Sequence, residues 1–122
     1  MRQEIKKEGQ RILTLAKSHY DSEINYCDEQ IKKLFQEFPS LEQYVLVFTA
    51  DHGEEFREHG RLGHARNLYN ETVRIPFFIR LPEAVSANHS KEIASLVDVA
   101  PTLLAIAGGK AQPSWQGRAL MG

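Results

Sequence analysis

The apolar run Val45–Ala50 restricts the fold of this chain more than any other feature, and it ends abruptly in Asp51-His52-Gly53. Its β-branched and aromatic residues predict a buried strand. In open α/β sheets, ligands bind just outside the carboxyl ends of the strands. We therefore expect Asp51 and His52 to lie where such a fold carries its chemistry.

Helical and strand-like segments alternate along the chain, which predicts the α/β class. A length of 122 residues predicts a single domain, 1–122, with a hydrophobic core. The expected elements are helices over 2–17, 20–38 (a second helix or a continuation of the first) and 99–107, strands over 44–50, 74–80 and 92–97, and a helical turn over 67–72. Asp98 is a suitable N-cap for the last helix.

Composition argues against several classes of protein. The 15 Lys and Arg residues nearly balance the 16 Asp and Glu residues, so no basic field attracts nucleic acid. No apolar run approaches the ~20 residues that span a bilayer. Residues 1–8 lack the apolar core of a signal peptide, so we expect any export signal to lie outside this chain. Cys27 is the only cysteine, which excludes an internal disulfide.

Asp51 and His52 can both ligate a divalent cation, because carboxylate and imidazole suit such ions. Neighbouring residues of a strand point to opposite sides, so both reach one ion only if the backbone turns, which Gly53 permits. Calcium and zinc require further ligands. Two other interpretations stay open at this point. In one, Asp51 caps a turn and His52 packs in the core. In the other, zinc is held by His52, His59 and His64, although no His-Glu-x-x-His motif is present.

Five segments add to this pattern. They are Tyr20-Asp-Ser-Glu-Ile-Asn-Tyr-Cys-Asp-Glu-Gln-Ile31, Val47-Phe-Thr-Ala-Asp-His-Gly-Glu-Glu-Phe-Arg-Glu-His-Gly60, Gly63-His-Ala-Arg-Asn-Leu-Tyr-Asn-Glu71, Val73-Arg-Ile-Pro-Phe-Phe-Ile-Arg80 and Ser95-Leu-Val-Asp-Val-Ala-Pro-Thr-Leu-Leu104. In this order they resemble the sulfatase family of the alkaline-phosphatase-like superfamily, which comprises metal-dependent hydrolases. The resemblance implies the C-terminal segment of a catalytic domain, in an α/β/α sandwich whose helices pack on a short, mostly buried sheet.

The resemblance also implies roles for single residues. Asp51 and His52 match the positions that bind one divalent cation, usually Ca²⁺. His64 matches a catalytic lysine or histidine that contacts the sulfate and assists the leaving group, and an imidazolium suits that task because its hydrogen bonds to an anion are charge-assisted. His59 is a candidate substrate contact, with simple packing as the alternative. Three acidic residues of the same loop are expected on a solvated face: Glu54, Glu55 and Glu58.

The family's nucleophile has no counterpart in this chain. In the family it is a cysteine or serine in a Cys/Ser-x-Pro/Ala-x-Arg motif, which is converted to formylglycine. Cys27 is followed by Asp-Glu-Gln-Ile and lies on the apolar stripe of a helix, where a buried hydrophobic residue is expected. The aspartate pair that completes the family's metal site is also unmatched. We therefore expect a fragment of a sulfuric-ester hydrolase that binds metal weakly and is inactive alone.

Two alternatives to a sulfatase remain. One is a phosphate or phosphonate ester hydrolase, or a phosphoethanolamine transferase, of the same superfamily. The other is a non-catalytic interaction domain on the same scaffold. A truncated sheet exposes strand edges and apolar surface, so self-association is expected. Members of the family are mostly exported, periplasmic or lysosomal, but the compartment of this protein is not encoded in these residues.

Overall fold

The structure is a computed structural model that describes residues 1–82 and 89–120. The chain divides into two compact units, Met1–Ala84 and Val85–Gly122. Its helices and strands are α1 (Arg2–Gln36), β1 (Leu46–Thr49), β2 (Glu55–Phe56), β3 (Leu62–Gly63), α2 (Asn70–Val73), β4 (Phe77–Arg80) and α3 (Val99–Ile106), with short 3₁₀ turns at Leu41–Gln43 and Leu96–Asp98. This mixture of helices and small sheets agrees with the α/β class. The sandwich and the single domain stay predictions.

The first two predicted helices are one continuous helix, α1, of 35 residues. Gly9 lies inside this helix without interrupting it, because a glycine in a helix lowers its stability by only about 1 kcal/mol relative to alanine. The helix ends two residues before Phe38, whose position ahead of Pro39 disfavours helical backbone. The prediction that Cys27 is buried is wrong: the thiol is exposed, and no residue of α1 is buried. No helix in the described ranges is both long and apolar enough to cross a bilayer.

The first unit contains two small antiparallel sheets. In one, β1 pairs with β4, from Leu46 opposite Arg80 to Thr49 opposite Phe77. In the other, β2 and β3 form a hairpin. The strand predicted over 74–80 begins only at Phe77, because Pro76 has no N–H for a sheet ladder. The strand predicted over 44–50 is likewise shorter, and its residues are half-buried rather than buried.

Packing in the first unit relies on half-buried aromatic contacts. Phe48 of β1 stacks on Phe78 of β4 with ring centroids 4.8 Å apart. Tyr20 of α1 meets Phe56 edge-on at 5.2 Å, which joins the helix to the β2–β3 hairpin. Apart from Pro101 of α3, none of the described aliphatic or aromatic side chains is fully buried. The hydrophobic core expected from chain length is therefore not found in the described part of the chain.

The second unit is organised around Asp98. One carboxylate oxygen accepts the backbone N–H of Ser95 at 2.8 Å, and the other accepts that of Arg118 at 2.9 Å. These two bonds hold the pKa of Asp98 below its ordinary value, and the bond from Arg118 has the larger effect. Burial acts in the opposite direction. Asp98 is thus the partner of Ser95 in a capping box. It occupies the predicted N-cap position of α3, but its side chain makes no cap hydrogen bond to that helix. The strand predicted over 92–97 is wrong, because this segment forms an irregular stretch and a 3₁₀ turn.

Candidate functional site

The turn that follows β1 is held by close backbone packing. The N–H of Gly53 donates to the carbonyl of Thr72 at 2.8 Å. A side chain at Gly53 would overlap the carbonyl oxygen of Glu71, so only glycine fits here. The chain bends at Asp51, and the absence of a side chain at Gly53 lets the backbone of Glu71 approach it closely.

Asp51 and His52 lie together at the end of this strand. One oxygen of Asp51 accepts the backbone N–H of His52 at 3.0 Å, and the other lies 3.5 Å from Nε2 of the ring. Nδ1 of His52 is 2.8 Å from the carbonyl oxygen of Gly53. Because a carbonyl only accepts, Nδ1 carries the hydrogen and Nε2 carries a lone pair. An imidazole held in this way is typical of metal-ligating histidines.

His64 joins this pair from the other side of the loop. Its ring stacks on that of His52 with centroids 3.9 Å apart and planes inclined by 29°. Nδ1 of His64 donates to Oε2 of Glu54 at 2.9 Å. The carboxylate therefore orients the ring, and Nε2 is the nitrogen that remains for a ligand. Three of the predicted site residues, Asp51, His52 and His64, are thus brought to one place.

His59 makes a different set of contacts. Its ring stacks almost parallel on Tyr69, with centroids 3.5 Å apart, and its Nδ1 donates to the carboxylate of Glu71. Glu71 also carries the carbonyl that abuts Gly53, so His59 lies against the segment that supports the turn. Its role as a substrate contact stays a prediction.

The solvated face predicted for the acidic residues is wrong for Glu55, which is fully buried. Its carboxylate accepts the backbone N–H groups of Arg61 at 2.7 Å and of His59 at 3.0 Å, and the side-chain amide of Asn67. Burial would raise the pKa of Glu55, but these hydrogen bonds together hold that pKa below its ordinary value. The residue therefore ties the loop between β2 and β3 to the segment before α2.

The other two glutamates also have partners. The side chain of Glu54 is only 18% exposed because it packs against His64. Glu58 is half-exposed and lies 3.8 Å from the ammonium group of Lys17. The three acidic residues follow one another too closely for spacing to distinguish them, so no signal in the sequence could have shown which one orients His64 and which one is buried.

The described residues contain no group of three or more His, Cys, Asp or Glu side chains arranged to hold a metal ion. The three-histidine zinc site is accordingly not found among them, since His52 and His64 stack on each other while His59 bonds to Glu71. For a cation, this part of the chain offers the neighbouring donors Asp51 and His52, which are two ligands of a larger shell.

Comparison with known proteins identifies the group to which these features belong. The profile of the Sulfatase family matches residues 4–109. The chain is 35% identical over 97 residues to N-acetylglucosamine-6-O-sulfatase of Bacteroides thetaiotaomicron, an alignment covering 76% of this chain and 17% of that protein. It is 33% identical over 103 residues to an ulvan-active sulfatase of Formosa agariphila, covering 81% and 16%.

A relative outside the named sulfatases also matches. The chain is 31% identical over 105 residues to the multifunctional alkaline phosphatase superfamily protein PehA of Trinickia caryophylli, covering 82% of this chain and 20% of that protein. The chain therefore spans about one sixth to one fifth of the length of these curated relatives. No solved structure matches it significantly.

Proposed function

The chain belongs to the sulfatase family of the alkaline-phosphatase-like superfamily, and from this we propose that it is part of a metal-dependent sulfuric-ester hydrolase. Its contribution is a pair of cation ligands and a group that contacts the ester anion. The observation that carries the proposal is the meeting of Asp51, His52 and His64 directly after β1. Strand ends of this kind are where α/β folds hold their ligands.

Asp51 and His52 are the proposed ligands of a divalent cation, which we take to be Ca²⁺. The carboxylate oxygen and Nε2 are 3.5 Å apart, close enough to bind the same ion, and the carbonyl of Gly53 fixes the imidazole in its ligating form. Calcium takes roughly six to eight ligands, so the others come from water or from further protein oxygens. When bound, the ion would neutralise charge on the sulfate and polarise its oxygens.

His64 is the proposed contact of the ester. Because Glu54 holds Nδ1, the imidazole presents Nε2 to a ligand. In its protonated form Nε2–H can donate a charge-assisted hydrogen bond to a sulfate oxygen, or its proton to the departing alkoxide. His59 is a weaker candidate for a substrate contact, since Glu71 and Tyr69 already engage its ring.

The organic part of the ester is proposed to be a carbohydrate. The support is that two relatives are named for N-acetylglucosamine and for ulvan. A phosphate or phosphonate ester is the second candidate, because it presents a similar tetrahedral anion and one relative is a multifunctional alkaline phosphatase superfamily protein. The residue that serves as nucleophile would distinguish the two.

Titrations of the 122-residue chain with calcium and with inorganic sulfate, followed by NMR, test this proposal. We expect calcium to shift the signals of Asp51 and His52 with a Kd of about 1 mM or weaker, because the chain supplies few ligands. Sulfate should shift the ring signals of His64. Asp51→Asn should weaken calcium binding roughly tenfold, by loss of a charged ligand. Asp28→Asn, an exposed aspartate on α1, is the matched control.

Two results would overturn the proposal. One is the absence of any saturable response to calcium or sulfate in the wild-type chain. The other is an equal calcium response in the Asp51 and Asp28 variants, which would mean that the ion binds elsewhere.

A further inference from the structure

We infer that His59 is a positioning residue, which together with Glu71 holds in place the turn that carries the proposed cation ligands, Asp51 and His52. This inference rests on the proposed function. It gives His59 a task other than the direct contact with substrate that is expected from the sequence. The hydrogen-bonded pair of His59 and Glu71 is called the His59–Glu71 bridge below.

The turn after β1 rests on the backbone of α2. The carbonyl of Thr72 accepts the N–H of Gly53 at 2.8 Å, and the carbonyl oxygen of Glu71 would lie only 2.1 Å from a Cβ atom at Gly53. Gly53 in turn fixes the ring of His52, because its own carbonyl oxygen is 2.8 Å from Nδ1 of that ring. A shift of α2 therefore moves Gly53, and with it the imidazole that would ligate the cation.

His59 reaches this support from the loop between β2 and β3. Its ring stacks on Tyr69, the residue before α2, with centroids 3.5 Å apart, and its Nδ1 donates to the carboxylate of Glu71 in the first turn of that helix. The other end of the bridge is anchored as well, because the backbone N–H of His59 donates to the buried Glu55 at 3.0 Å. One side chain thus contacts two residues of the segment that supports Gly53.

A second, buried link joins the same loop to α2. Glu55 also accepts the side-chain amide of Asn67, and the hydroxyl of Thr72 lies 3.0 Å from Oδ1 of Asn67. Thr72 is 5% exposed, whereas the side chain of His59 is 43% exposed. Water can replace a hydrogen bond that is lost at the half-exposed bridge. Loss of the bridge should therefore leave the fold intact and should loosen mainly the turn.

Calcium titrations of the full chain, followed by NMR, test the bridge. His59→Phe keeps a ring against Tyr69 but removes the donor to Glu71. We expect this variant to bind calcium about three- to tenfold more weakly, and the signals of the Gly53 amide and the His52 ring to shift. Supporting groups that orient a metal ligand directly change affinity by about 10- to 100-fold, and the bridge acts one step further from the ion.

Substitutions at the other end of the bridge show whether the hydrogen bond itself matters. Glu71→Ala should weaken calcium binding as His59→Phe does. Glu71→Gln retains an acceptor oxygen for Nδ1 of His59 and should therefore recover most of the wild-type affinity. His19→Phe and Glu42→Ala, at exposed positions outside the bridge, are the matched controls and should bind calcium like the wild type.

Thermal unfolding of the same variants separates positioning from a merely structural role. A lowered Tm in His59→Phe, with calcium affinity and the Gly53 and His52 signals unchanged, would overturn the inference. If Glu71→Ala does not fold, the comparison of His59→Phe with His19→Phe decides alone.

The remaining outcomes distinguish this inference from the proposed function. A wild-type chain without a saturable response to calcium would overturn the proposed function, and the bridge's role with it. Calcium binding that is equal in the wild type and in His59→Phe would overturn only the role of the bridge. Loss of sulfate binding in His59→Phe, with calcium binding unchanged, would also overturn that role, because His59 would then contact the anion directly.

Discussion

At Glu55, a fully buried carboxylate holds together the loop that carries His59. A buried charge is stable only where donors surround it, and here the donors are two backbone N–H groups and the amide of Asn67. Removing the acceptor would leave these donors without partners in the interior. Glu55 therefore supports the loop on which the candidate site is built, without itself being placed to contact a ligand.

We expect Glu55 to make the stability of this unit depend on pH at the acid side. Its hydrogen bonds hold the pKa of Glu55 below the ordinary value despite burial. The contribution of Glu55 to the free energy of unfolding is therefore fully present above the ordinary glutamate pKa of about 4.3. It is lost as pH falls through the lowered pKa. Glu55→Gln should lower Tm at pH 7 by several degrees, since glutamine offers one acceptor oxygen where the carboxylate offers two. The fall in Tm between pH 7 and pH 3 should be smaller in this variant than in the wild type, because glutamine does not titrate.

Thermal unfolding at the two pH values measures this effect, with Glu42→Gln as an exposed control. Asp98 also has a lowered pKa, so it too makes the wild-type chain less stable as pH falls. Only the difference between the two variants therefore reports the effect of Glu55. Equal Tm values for the Glu55 and Glu42 variants at pH 7 would show that the buried hydrogen bonds add nothing.

At the scale of elements, the strands are shorter than predicted and each sheet has two strands. Within the described ranges, β1 and β4 pair only with each other, so each keeps an unpaired edge. Such edges accept strands from other chains unless they are blocked. Apolar surface lies beside them, since Phe78 is 51% exposed although it stacks on Phe48.

We propose that the chain self-associates through the β1–β4 pair. Light scattering at increasing concentration should give a mass above that of one chain. Phe78→Asp should move that mass towards the monomer, because a charge in the contact would have to be desolvated. Tyr26→Asp, an exposed aromatic residue on α1, is the control for the added charge. A wild-type chain that stays monomeric, or an equal effect of both variants, would contradict the proposal.

For the molecule as a whole, the described residues include the proposed cation ligands and the proposed anion contact but no nucleophile that matches the family's motif. Cys27, the only cysteine, is exposed on α1 and lacks the motif around it. Cleavage of a sulfate ester in this family needs an oxygen nucleophile in line with the leaving group. The chain spans about one sixth of the length of these two sulfatases.

We therefore expect the isolated chain to hydrolyse neither an aryl sulfate nor an aryl phosphate, with or without calcium. Release of nitrophenol from the two nitrophenyl esters measures this directly. His64→Ala is the reference for contaminating activity, because turnover that persists in the variant does not come from the proposed site. Metal-dependent turnover that is present in the wild type and lost in the variant would contradict the expectation.

The sequence by itself determined the helical segments of α1 and α3, the strands β1 and β4, the family and the candidate residues Asp51, His52 and His64. These features depend on periodicity, on a strand that ends in chemically active residues, and on fixed spacing, all of which are local. Only the tertiary structure decided which glutamate is buried, that Glu54 orients His64, and that His59 pairs with Glu71. Each of these contacts joins residues four to twelve positions apart across an irregular loop, where no repeating pattern constrains direction. Their partners are set by which donors and acceptors the folded loop must satisfy once water is excluded.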